Sequence, residues 1–101
     1  DDKDAAKEIL NVFVCETEKN IDRIKAALQK SDAATICAVA HKMLPSFTLI
    51  EDKATLPALQ WLENNKQNAV FNHETEKQAH AVIENATYTL DAAKEYISEL
   101  N

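Results

Sequence analysis

The chain has 101 residues and not one of them is glycine. Hairpin turns need residues at positive φ, and glycine reaches that region at the least steric cost. A chain without glycine has no ready way to reverse one strand onto the next, so the sequence calls for an all-α fold. Only Pro45 and Pro57 stand to interrupt helices. The length suits one domain, residues 1–101, built around a single core.

Apolar periodicity divides the chain into four amphipathic stretches. The first, Asp4 to Lys30, carries Leu10, Val14, Thr17, Ile21, Ile24 and Leu28 at spacings of three and four. Its apolar residues spread around "ILNVFV", which suggests either enclosure by neighbours or a separate short N-terminal helix. Ser31 or Asp32 would cap the second helix, Ala33 to Leu49, whose stripe is Ile36, Ala40, Met43, Phe47 and, at its margin, Ile50. Asp52 would cap the third, with Leu56, Leu59 and Leu62 inward and Pro57 in the first turn. After a polar loop anchored by Val70 and Phe71, Asn72 or His73 caps the last helix, where Glu74 and Glu76 favour the positive end. There Ala79, Ile83, Ala86, Leu90, Ala93, Ile97 and Leu100 form the cleanest stripe. Four such helices with short links imply an antiparallel four-helix bundle. No internal repeat is evident.

Charge and hydropathy exclude several classes. A net charge of −6 offers no concentrated basic face for a phosphate backbone, so nucleic acid is an unsuitable partner. No apolar run reaches the roughly 20 residues of a membrane span, and "DDKDAAKE" is not a signal peptide. Cys15 and Cys37 are too few for a disulfide scaffold and read as buried free thiols. No glycine loop, Ser-His-Asp arrangement or paired carboxylates marks a stand-alone enzyme.

The run "AVAHKMLPSFTLIE" holds the residue of most interest. Drawn at ~100° per residue, the second helix places His41 about 140° from the centre of its apolar stripe, facing out of the bundle. Ala34, Cys37, Ala38, Leu44, Pro45 and Thr48 share that face, which is small and apolar where an exposed helix is normally charged. Exposed apolar patches of this kind mark contact sites, unless "ILNVFV" folds over them. Pro45 has no N–H for the His41 carbonyl, so the helix either bends near the imidazole or ends early.

These residues resemble a histidine-containing phosphotransfer (HPt) domain, the relay module of multistep two-component signalling. The likeness covers nearly the whole chain: "ALQKSDAATICAVAHKMLPSF" has the Asp-containing turn followed by a mid-helix Ala-His pair, and "LPALQWLE" is similar to the family's L-x-x-L-x-x-L-E helix. Leu44 and Pro45 stand where the family commonly has Lys and Gly, while Met43 and Ser46 fit its pattern. The resemblance implies a four-helix bundle in which His41 takes a phosphoryl group from a receiver domain's phospho-aspartate and passes it to another receiver. It implies Lys42 as a phosphate contact and Cys37, Ala38, Leu44, Pro45 and Thr48 as docking residues. The Mg²⁺ and the catalytic acids would belong to the receiver, so the chain itself would be a cytoplasmic carrier needing no cofactor, rather than an enzyme. It would act as a monomer, and the missing initiator Met fits a module of a hybrid sensor histidine kinase.

Two other readings use the same residues. In one, the apolar face is a non-transferring adaptor that docks a receiver or another helical partner. In the other, Cys37 and His41, spaced i, i+4, are metal ligands completed by Cys15, His73 or His80, with haem ligation by Met43 as a variant. Trp61 lies off the third helix's stripe and suits the edge of the bundle.

Overall fold

The computed structural model describes residues 2–101. It consists of α1 (Asp2–Gln29), α2 (Ala33–Leu49), α3 (Leu56–Asn64) and α4 (His73–Leu100), with a 3-10 turn at Lys66–Asn68. Each helix packs on the next in chain order and α4 returns to α1. The result is the expected antiparallel four-helix bundle, 46 × 22 × 17 Å.

The core draws on every helix. Ile21 and Ile24, Ile36, Ala40, Met43 and Phe47, Leu59 and Leu62, and Ala79, Val82, Ala86 and Leu90 are all buried. Phe13 lies against Phe47 with ring centroids 5.4 Å apart. The residues around "ILNVFV" form no separate helix: α1 is continuous, since nothing there breaks helical hydrogen bonding. The spread of apolar residues instead leaves Ile9 and Val12 exposed while Leu10, Phe13 and Val14 turn inward. Ile50 also leaves the stripe assigned to it, because it falls on the C-cap of α2, beyond the last helical turn.

Without glycine, the chain reverses direction at its first two links by one device. Ser31 and Glu51 adopt φ of 52° and 54°, the left-handed region that glycine usually fills after a helix. The next residue is an aspartate in both cases. Its N–H closes the preceding helix, Asp32 on the Ala27 carbonyl at 2.9 Å and Asp52 on the Phe47 carbonyl at 3.1 Å. Its carboxylate then starts the following one. Asp32 accepts from the Thr35 N–H at 3.1 Å and the Thr35 hydroxyl at 2.6 Å. Asp52 does the same with Thr55, at 3.2 and 2.8 Å. Asn72 and Thr75 repeat the pattern at α4, at 2.9 and 3.0 Å. The Asx-x-x-Thr hydrogen-bond pattern thus recurs at 32, 52 and 72: Asp32 and Asn72 are the N-caps of α2 and α4, whereas Asp52 braces the turn that leads to Thr55, the N-cap residue of α3.

The Asp52 carboxylate also accepts a hydrogen bond from the Thr89 hydroxyl, tying the α2–α3 turn to α4. Past that point α4 runs beside α1 through Lys94–Glu18, 2.9 Å, and Lys7–Asn101. Ala93, Ile97 and Leu100 are accordingly only half-buried. In the α3–α4 loop Phe71 packs on the core, whereas Val70 is 62% exposed and anchors through its carbonyl, which accepts from the Thr75 hydroxyl.

Candidate functional site

His41 lies in the middle of α2, its side chain 62% exposed. Nδ1 is 2.8 Å from Oε2 of Glu63, which reaches across from α3. The Glu63 side chain is 18% exposed, and its other oxygen accepts from Lys66 Nζ at 2.6 Å. The Lys66 hydrogen bond, opposed by partial burial and reinforced by His41, holds the Glu63 carboxyl below its ordinary range. An ionised carboxylate only accepts, so Nδ1 carries the proton and donates it. In the neutral imidazole that leaves Nε2 as the nitrogen with a free lone pair.

Several local features present the ring. α2 continues through Pro45 to Leu49, so the proline does not end the helix. The carbonyl of His41 receives no helical N–H from position 45. Ala34, Ala38, Pro45 and Thr48 are exposed and Leu44 half-buried, as expected of an outward face. Cys37 departs from that face. It is 2% exposed because α3 crosses over it, close enough for the Glu63 charge to act on its thiol. It therefore belongs to the core rather than to the exposed docking face expected for it. Cys15, by contrast, is exposed rather than buried. Trp61 is half-buried against the core edge.

The segment "ILNVFV" leaves His41 uncovered. Its residues Ile9, Leu10, Val12 and Phe13 line a groove of about 200 Å³ with Ser46, Leu49 and Ile50, near the end of α2. Ile9, Val12, Leu49 and Ile50 are 67%, 59%, 81% and 43% exposed, so this groove is rimmed by apolar side chains. Lys42 turns the other way, toward α1. It lines a groove of about 270 Å³ with Arg23, Thr35, Ala38 and Val39. Metal-ligand geometry does not form around His41: no three His, Cys, Asp or Glu side chains among the described residues converge on one point.

The sequence reading missed Glu63 and Arg23 as members of this region. Glu63 is the final residue of "LPALQWLE", and only the crossing of α3 over α2 brings it to the imidazole. No described helix is long and apolar enough to cross a membrane. No protein-family model, curated protein or solved structure matches this chain.

Proposed function

We propose that this domain is a histidine phosphotransfer module. The observation that carries the reading is the exposed His41 whose Nδ1–H is held by an ionised Glu63. Neutral Nε2 attacks the phosphorus of a receiver's aspartyl phosphate; the N–P bond forms as the acyl P–O bond breaks, and the receiver's carboxylate departs. Positive charge grows on the imidazole during attack, and the Glu63 carboxylate at Nδ1 stabilises it. The second transfer reverses these bonds: a new receiver's carboxylate oxygen attacks phosphorus, N–P breaks, and His41 returns to its neutral form.

The receiver supplies Mg²⁺ and its own acids. The domain supplies the nucleophile and a docking face, acts as a monomer in the cytoplasm, and serves a hybrid sensor histidine kinase and response-regulator receivers. Ala38, Leu44, Pro45 and Thr48 form part of that face, and Lys42, which lines the groove beside Arg23, serves as a phosphate contact by swinging its long side chain back toward His41. The exposed apolar residues Ile9, Val12, Leu49 and Ile50 support a second reading, in which the domain docks a receiver without accepting phosphate.

Incubation with a panel of labelled phospho-receivers separates the two. Acid-labile, base-stable label on the wild type and none on His41→Gln is the relay's expected result. Binding of a receiver that gives up its label to neither protein selects the adaptor.

A further inference from the structure

Arg23 of α1 and Lys42 of α2 face one groove floored by Thr35, Ala38 and Val39. Ion pairs hold Lys19, Lys66 and Lys94; what distinguishes Arg23 and Lys42 from the other unpaired cations is that they border one groove with no acidic residue in its lining. Among the described residues neither Arg23 nor Lys42 forms an ion pair. Two like charges from different helices thus border the same cleft without a counterion, an arrangement that an incoming anion relieves.

We infer that this groove docks an acidic segment of a partner protein. Arg23 offers the planar fork that matches a carboxylate, and Lys42 a mobile point charge beside it. The small apolar floor, Ala38 and the buried Val39, receives the methylenes of a glutamate side chain. The groove opens toward α1, whereas His41 leans on Glu63 of α3. The groove shares Ala38 and Lys42 with the face proposed for the receiver, yet the inference does not depend on whether His41 carries phosphate.

Amide NMR titration of the intact chain with a hexaglutamate peptide, and separately with inorganic phosphate, tests it. The peptide is expected to shift Thr35, Ala38, Val39 and Lys42 in a saturable way. The exposed double substitution Arg23→Gln with Lys42→Gln should weaken that binding about tenfold, two surface charge pairs being lost. His41→Gln should titrate like the wild type while losing any phosphotransfer, which keeps this result separate from the relay. Shifts scattered evenly over the other lysines, or none at all, overturn the inference. Saturation of the same amides by phosphate at lower concentration than by peptide overturns it in favour of a phosphoryl ligand.

Discussion

Asp52→Ala should be among the most costly single substitutions outside the apolar core. The carboxylate accepts from the Ala54 and Thr55 amides and from the hydroxyls of Thr55 and Thr89. Loss of a helix cap costs about 1 kcal/mol. Thr55 is fully buried, and a buried hydroxyl left without an acceptor costs about 1–3 kcal/mol more. Thr89 loses less, since it also donates to the Asn85 carbonyl. The total of about 2–4 kcal/mol corresponds to a fall in Tm of about 10–25 °C for a domain of this size. Asp32→Ala removes a similar cap from a half-buried Thr35 with no link to α4, so its fall should be less than half as large.

The same pair can be followed by thermal melts across pH. Burial pushes the Asp52 carboxyl up, but the bonds from Thr89, Thr55 and Ala54 outweigh it and hold it below its ordinary range. A carboxyl depressed on folding contributes stability above its unfolded pKa and loses it as pH falls through the folded one. Wild type and Asp52→Ala should therefore converge in Tm as the pH drops below the usual carboxylate range. Equal losses for the two aspartates, or a gap undiminished in strong acid, would refute the reasoning.

Glu63→Ala should slow phosphoryl uptake by His41 about tenfold in single-turnover transfer, as the loss of one charge-assisted hydrogen bond of about 1.5 kcal/mol in the transition state predicts, with the melting curve little changed. Ellman's reagent should titrate one thiol, Cys15, in the folded protein and a second only in denaturant; burial first and the Glu63 charge second push the Cys37 thiol up. Glu51→Gly should stabilise the domain by about 0.5–1 kcal/mol in urea unfolding, because it relieves a left-handed backbone without removing a side-chain hydrogen bond. A destabilised Glu51→Gly would mean that the Glu51 side chain contributes more than its backbone costs.

Much of the architecture was legible because period alone determines it. In the α4 stripe Ala79, Ala86 and Leu90 are buried as spaced, but Val82 rather than Ile83 fills the place between them, and the weakening at Ala93, Ile97 and Leu100 depends on where α2 and α3 stop, which no local pattern records. The caps Asp32 and Asn72 were readable from residue type, whereas Asp52 sits a turn before α3, whose N-cap residue is Thr55; in all three places the threonine three residues on supplies the other half of the hydrogen-bond pair. α2 was harder. A single stripe centred on Ile36 and Met43 describes a helix packed on one side, whereas α2 lies between α1 and α3. Its buried arc therefore widens to take in Val39 on one flank and Cys37 on the other. His41, one turn beyond Cys37, escapes α3 and stays exposed, and its partner Glu63 lies 22 residues away in sequence.

The overhang of α4 past Thr89 gives the molecule two tiers of cooperativity. The last turns of α4 and the first turns of α1 share fewer buried side chains than the central bundle, so they open at lower free energy than global unfolding requires. Their amides should exchange with deuterium well before those around Ile24, Met43 and Leu62. Ile9 and Val12 sit on this looser tier, Leu49 and Ile50 at the end of α2, and one groove joins them. A partner bridging that groove would suture the loose tier to the firm one and spend part of its binding energy on ordering it, so protection of the early α1 amides reports occupancy without any label on the partner.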